Sequence, residues 1–323
     1  MKAIVVHEFG GPEVMRFEEV PDLIPGPGQV LVRIGAAGVN PADTYTRTGS
    51  YSVKPPLPYT PGTDGAGSVE AVGPGVSRLR PGDRVYLARS ISGTYAEFAL
   101  ATEAQAHSLP DSIGFPEGAG IYVPYGTAYH GLFHHADALP GESVLVHGAS
   151  GGVGVAALQL GRLRGLKMYG TAGTPKGREL VLREGALAAF DHTSTDYREQ
   201  MLAATEGRGF DVILEMLANV NLGHDLKLLA PRGRVIIIGS RGDVTITPRD
   251  LMGKRGSIHA MTLWAATESE EAEIHAALAA AMTADAIRPV VGREFPLAQA
   301  PESHRAVMEK GAYGKIVLLP PSE

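Results

Sequence analysis

Between Ser143 and Gly154 the chain reads SVLVHGASGGVG, and VAALQLGRL follows in a helix-compatible pattern. A short apolar, β-branched run, a glycine-rich turn and a helix, in that order, aim the unpaired N–H groups of the helix's first turn at an anion. Gly151 and Gly154 fit the second and third glycines of a G-x-G-x-x-G fingerprint, with Ala149 where the first would stand. Gly151 would let backbone approach a pyrophosphate, and Gly154 would let the helix pack closely on the strand. The chemistry indicated is that of a dinucleotide site. An ordinary glycine-rich turn is the alternative, and the flanking strand and helix weigh against it.

The next strand, KMYGT at 167–171, sharpens the cofactor. NAD-selecting folds usually end this strand with an acid that binds the ribose 2′-OH. Here no acid occurs between Glu142 and Glu179; Gly173, Thr174, Lys176 and Arg178 stand there instead. A 2′-phosphate is repelled by a carboxylate and held by ammonium, guanidinium and hydroxyl donors. NADPH is therefore expected rather than NADH, the alternative being that Lys176 and Arg178 are solvated charges on the following helix. One metal-like spacing occurs: His130 and His134 are four apart in HGLFH. No Glu holds the HExxH position and no third ligand is evident, so ordinary surface or interface histidines are expected and no metal.

The elements that must position these residues fall into two patterns. Up to about residue 101 the chain alternates weakly at 2–7 and clearly at 29–35, 67–72 and 84–88, and 95–101 reads as a further strand. PGPG, GPG and PGD turns punctuate it. This predicts a compact, mostly β domain forming one wall of a cleft. Residues 117–135 are helix-compatible, with Pro124 and Gly126 suggesting a break. Strands and helices then alternate at 143–147, 152–164, 167–171, 175–185, 197–206, 211–215, 220–229 and 234–238, the signature of a parallel sheet covered by helices. A long Ala/Glu helix spans 267–284, and a closing strand, GKIVLL, begins at 314. The expected domains are 1–120 with 265–323, and 121–264.

Composition sets outer bounds. The 323 residues are 44% hydrophobic and 20% charged, with a net charge of −6, as in ordinary soluble globular proteins. The acidic balance argues against DNA or RNA binding as the main work. There is no cysteine, which excludes disulfides, cysteine-ligated zinc and a thiol nucleophile. No run reaches transmembrane length and the N-terminus lacks a signal-peptide core, so a cytoplasmic protein without membrane association is expected.

Together these residues resemble the medium-chain dehydrogenase/reductase superfamily, and within it the zinc-free, zeta-crystallin-like quinone oxidoreductases. The similarity runs nearly end to end, through FGGPEV (9–14), GVNPADTY (38–45), LPYTPGTDGAG (57–67), ISGTYAEFAL (91–100), HGASGGVG (147–154), TAGT (171–174), EMLANVNL (215–222), GSRG (239–242) and GKIVLL (314–319). It implies an α/β fold: a GroES-like, mostly β catalytic domain and a Rossmann-like, doubly wound NADPH-binding domain, assembled as a homodimer or homotetramer. Zinc dehydrogenases of the superfamily carry a Cys after GV and a GHE motif. This chain has Asn40 and Gly62-Thr63-Asp64 at those places, and the structural zinc lobe is missing too. Those ligands for a catalytic Lewis acid are gone.

The resemblance implies site residues one by one. Ser150, Gly151, Gly152 and Val153 match the pyrophosphate loop. Gly173 and His192 match positions flanking the adenosine ribose phosphate, and Lys176 is the nearest cation for that phosphate. Asn221, Tyr45, the loop Ile238, Gly239, Ser240 and Arg241, and the segment Met261, Thr262 and Leu263 match cofactor contacts, the last near the nicotinamide. Asn221 could instead cap a helix, and Tyr45 could be a packing aromatic. Asn40, Tyr45 and Tyr51 are the polar groups expected at the substrate cleft, with Tyr51 donating a hydrogen bond to a quinone oxygen. The implied reaction is metal-free, NADPH-dependent quinone reduction, by hydride or by one electron to the semiquinone. Reduction of an enone or enoyl thioester is the neighbouring possibility. A structural role, or binding of AU-rich RNA, is a third; the acidic balance leaves RNA a minor part at most.

Overall fold

The alternating middle of the chain forms the expected parallel sheet. In this computed structural model, which describes residues 1–51 and 54–321, six strands lie in the spatial order Ala188–Phe190, Lys167–Thr171, Ser143–Val146, Phe210–Glu215, Leu229–Ile237 and Ser257–Ala260. Every pairing is parallel. Counted along the chain the order is 3-2-1-4-5-6, the doubly wound arrangement in which strand order reverses beside the first strand. The two strands at that reversal, Ser143–Val146 and Phe210–Glu215, are buried at every position, as strands covered on both faces must be. Helices Gly152–Leu163, Pro175–Arg183, Tyr197–Ala203 and Ala218–Leu228 connect the strands. Thr174 caps the second of these by accepting from Gly177 N, with Pro175 at its first position.

Two short strands of this sheet, Ala188–Phe190 and Ser257–Ala260, do not stand out in the sequence pattern. They are its edges, and the second is mostly exposed, so neither carries a buried apolar run.

Packing divides the chain into two units: Met1–Val123 with Arg288–Glu309 and the residues from Gly314, and Pro124–Ile287 with Lys310–Tyr313. The helix Glu268–Thr283 belongs to the second unit, whereas the sequence reading assigns everything from 265 onward to the first. Its buried face is only Ile274, Leu278 and Met282. Ile274 packs at Gly126, and Glu273 accepts from the Tyr129 hydroxyl. An alanine-rich helix with so narrow a stripe does not advertise its docking partner in the sequence. The break expected at Pro124 also falls elsewhere. Helix Phe115–Gly118 ends before a fresh helix, Tyr122–Tyr129, that continues as a π-helical turn through His135. Pro124 lies in that helix's first turn, where a missing N–H costs nothing.

In the first unit the long strand Gln29–Val39 is the hub, pairing with Asp64–Val72, Phe98–Thr102 and the closing strand Lys315–Leu319. Val291–Pro296 runs parallel to the closing strand at the edge. The chain's end thus returns to its first sheet, as expected. Val30, Val32, Ile34, Val69, Val85 and Leu87 contribute to its core.

Candidate functional site

In the second unit the residues matched to a cofactor collect at the carboxyl ends of the parallel strands, where doubly wound folds hold their ligands. The loop after Ser143–Val146 turns at Gly148, whose φ of +61° takes the left-handed conformation. Ala149, one residue on, needs no such freedom, which is why alanine is accepted at the fingerprint's first position. A Cβ on Gly154 would lie 2.5 Å from Ala149 Cα, so only glycine allows the helix to start this close to the loop. Gly151 caps that helix with no side-chain hydrogen bond. The helix start at Gly152 and Val153 thus has no side-chain cap, as an anion cradle requires. The Ser150 hydroxyl is already committed, donating to Ala312 O at 2.7 Å.

The end of Lys167–Thr171 carries the second part. The His192 ring packs on Gly173, whose added Cβ would meet Nε2 at 2.8 Å. Lys176 Nζ stands 4.3 Å from the Tyr313 ring centroid. Arg178 is engaged elsewhere, pairing with Asp191 at 2.7 Å. Among the described residues, Lys176, over the Tyr313 ring, and Lys310, whose charge reaches His192, are further cations near this strand end. Burial, with the His147 charge behind it, lowers the His192 pKa, so that ring is a neutral neighbour. Tyr313 and Ala312 escape the sequence reading because they arrive from the far end of the chain.

Across the reversal, Asn221 Nδ2 donates to Glu215 Oε1 at 3.2 Å, while Asn219 accepts from Arg241 N at 2.9 Å. Ile238 N and Gly239 N both donate to Glu215 O, and a Cβ at Gly239 would sit 2.5 Å from Met216 O. Ser240 bonds within its own loop, to Gly242 O. Met261 N donates to Ile237 O at 3.0 Å, and Thr262 and the buried Leu263 follow it.

Beneath this rim lies a cluster that the motifs did not reveal. His147 Nε2 donates to Asp225 Oδ1 at 2.8 Å and lies 3.5 Å from Glu215 Oε2. All three residues are buried. Burial alone would strip the imidazole of its proton, but the two carboxylates outweigh it and lift its pKa to about 9. Burial, with Asp225 alongside, pushes Glu215 up to about 8 against the pull of His147. Glu215 Oε2 and Asp225 Oδ2 otherwise lack hydrogen bonds, and a proton on Glu215 directed at Asp225 relieves both.

In the first unit, Asn40, placed by its sequence among the substrate-cleft groups, is buried. Its Nδ2 donates to Asp64 Oδ2 at 3.0 Å and its Oδ1 accepts from Lys315 Nζ at 2.6 Å. Lys315 also reaches Asp64 Oδ2 at 2.7 Å. Asn40 and Asp64 stand where the sequence reading places the missing Cys and GHE ligands, and with Lys315 they form a closed ion pair braced by an amide. Asp43 accepts from Asn40 N at 2.8 Å and from the Tyr95 hydroxyl at 3.3 Å; burial raises its pKa to about 6. Tyr45 lies half-buried on helix Pro41–Arg47, and its carbonyl accepts from Ser50 N and from the N–H of the half-buried Tyr51.

A GroES-like unit and a doubly wound unit with this loop define a medium-chain dehydrogenase/reductase. The model for the alcohol dehydrogenase GroES-like domain matches residues 26–125, and that for zinc-binding dehydrogenase matches 185–318. A human quinone oxidoreductase is 49% identical over 321 residues, 99% of this chain and 98% of the relative. The Escherichia coli quinone oxidoreductase, solved with NADPH, is 29% identical with a TM-score of 0.88, over 99% of this chain and 100% of that one. A mycobacterial protein solved with NADPH is 31% identical with a TM-score of 0.89, over 99% and 100% of the respective chains. The chain belongs to the quinone oxidoreductase, or zeta-crystallin, family of this superfamily.

Proposed function

We infer that the chain is an NADPH-dependent quinone oxidoreductase. One observation carries the reading. Behind the glycine turn is a helix start without a side-chain cap, and beside it an acid-free strand end where Lys176 is held against Tyr313. The NADPH bound by the bacterial relatives and the name of the human one support the cofactor and acceptor class.

When bound, NADPH supplies reducing equivalents from its nicotinamide to an electron-poor acceptor. The chain's own work is binding and orientation. The N–H groups of Gly152 and Val153 would hold the pyrophosphate, with Gly151 keeping the approach open. Lys176 would pair with the 2′-phosphate, and Gly173 and His192 would wall its ribose. Ile238 to Arg241, Asn221 and the Met261–Leu263 segment are the proposed contacts toward the nicotinamide end. With the Asn40 amide spent on Asp64 and Lys315, Tyr45 and Tyr51 are the polar side chains proposed to meet cofactor and acceptor, Tyr51 donating to a quinone oxygen.

The same proposal has the protein reducing its acceptor without the superfamily's catalytic zinc, in the cytoplasm, as a homodimer or homotetramer. Among the described residues no helix is long and apolar enough to cross a membrane. The deciding experiment is steady-state turnover of a quinone and an enone with NADPH and NADH side by side, with paramagnetic resonance reporting any one-electron product. Quinone turnover with NADPH favoured by ~10-fold or more, the value of one charge-assisted contact, is expected. A preference for NADH would overturn the cofactor assignment, and faster enone turnover the acceptor class.

A further inference from the structure

The HGLFHH segment gains a partner in the fold that the sequence hides. His130 to His135 form a π-helical turn, a local distortion that clusters at functional sites. The wider turn brings three imidazoles into a chain: His130 Nδ1 lies 2.8 Å from His134 Nδ1, and His130 Nε2 lies 3.2 Å from His135 Nε2. The helix Glu268–Thr283, from some 140 residues later, then brings in a carboxylate. Glu270 Oε1 stands 4.0 Å from His134 Nδ1, and one ligand atom from each of His130, His134 and Glu270 falls within 4.8 Å of the others. A cavity of about 400 Å³ opens beside them, lined by His130, His135, Glu270, Met261 and Thr262.

We propose that His130, His134 and Glu270 bind a divalent transition-metal ion of the zinc class, with a fourth coordination position open to this cavity. Two neutral imidazoles and one carboxylate are a donor set that zinc favours when it keeps an open position. Two nitrogens bound to one ion at about 2.0–2.1 Å stand ~3.3 Å apart in a tetrahedron, so the 2.8 Å separation needs to widen by only ~0.5 Å. The outer nitrogens fit as well. With both Nδ1 lone pairs turned to the ion, each ring must carry its proton on Nε2. His130 Nε2 then donates to His135. His134 Nε2, buried and at present without a hydrogen bond, lies 3.4 Å from Glu273 Oε2. A carboxylate behind a ligating histidine is the usual orienting partner, and Glu273 is itself fixed by the Tyr129 hydroxyl at 2.9 Å.

The test uses the full-length, tag-free protein, stripped with chelator and titrated with Zn²⁺ and, as a spectroscopic probe, Co²⁺. One equivalent per chain is expected, with visible Co²⁺ bands of a four- or five-coordinate site. His130→Gln should abolish these bands. Glu270→Gln should weaken binding by at least ~10-fold, and Glu273→Gln by ~10-fold, as loss of an orienting partner does. Glu270→Gln keeps an oxygen to accept from Thr267, which the helix cap requires, so it decides the matter even if a histidine variant fails to fold. His7→Gln, exposed in the other unit, should bind as the parent does. Absence of saturable binding would overturn the proposal. So would stoichiometric binding indifferent to His130→Gln and Glu270→Gln, since the ion would then sit elsewhere, for instance at His147, Glu215 and Asp225.

Discussion

Asp225→Asn should weaken the protein in a way that depends on pH. Asparagine keeps the shape and an acceptor oxygen for His147 Nε2 but removes the charge. In the folded chain the His147 pKa rises from 6.5 to about 9. At about 1.4 kcal/mol per unit this corresponds to ~3 kcal/mol of stability. Because the folded pKa exceeds the unfolded one, that stability is complete below pH 6.5 and is lost as pH climbs through 9. Glu215 acts in the same direction. Its pKa rises from 4.5 to about 8, so the folded state holds a proton that the unfolded chain releases, and stability falls as pH rises through that interval. The variant should therefore melt lower by about 6–12 °C at pH 6, the equivalent of ~3 kcal/mol for a unit of this size, in keeping with the cost of breaking a buried ion pair. The two melting curves should draw together by pH 9.5, where most of the parent's imidazolium has also gone. Thermal unfolding followed by circular dichroism from pH 6 to 9.5 reads both effects. A deficit of constant size across that range would mean that Asp225 serves His147 only as a hydrogen-bond acceptor, with no charge-dependent stability.

Lys176→Gln should raise the KM for NADPH by ~10- to 100-fold, the loss of one charge-assisted contact, while leaving that for NADH within about 2-fold; equal effects on both would remove Lys176 from the 2′-phosphate. Gly154→Ala should loosen cofactor binding by at least ~10-fold in a fluorescence titration, since its methyl would meet the Ala149 backbone; unchanged affinity would mean the helix start can retreat without harm. Tyr51→Phe should lower kcat for quinone by ~10-fold with NADPH binding intact, and unaltered turnover and quinone affinity would dismiss its hydroxyl from the reaction.

The sequence makes legible what is local and leaves hidden what is distant. The strand Ser143–Val146, its glycine turn and the helix Gly152–Leu163 are consecutive in the chain, so their order alone predicts the strand, turn and helix that the structure shows. The acid-free end of Lys167–Thr171 is read just as directly. Tyr313, by contrast, reaches Lys176 from the far end of the chain, and Glu270 reaches His134 from another helix. No periodicity joins such residues. Asn40 shows a further limit: the sequence places it among the polar groups of the substrate cleft, and only the fold shows that Lys315, from the closing strand, claims its carboxamide. Residue type is visible in the sequence; what already occupies a side chain is decided by pairings such as Val317 with Gly38.

The buried charges at the strand reversal tie stability to the geometry of the site. An ion pair so enclosed is weak evidence for stability, because well-packed apolar residues often do better. What the cluster adds is position. Glu215 Oε1 receives both Leu217 N and the Asn221 amide, which sets the start of helix Ala218–Leu228, and Glu215 O receives Ile238 N and Gly239 N from the neighbouring loop. His147, held to Asp225 on that same helix, leads directly into the Gly148 turn and the anion cradle. One buried cluster therefore fixes the loops on both sides of the reversal. When Glu215 ionises beside Asp225, near pH 8, two buried carboxylates face a single imidazolium, and repulsion loosens the groups that hold both loops. NADPH affinity should consequently fall above pH 8 in the parent and lose that dependence in Asp225→Asn, which a fluorescence titration from pH 7 to 9 would show. A fall of equal size in both proteins would separate the cluster from the cradle.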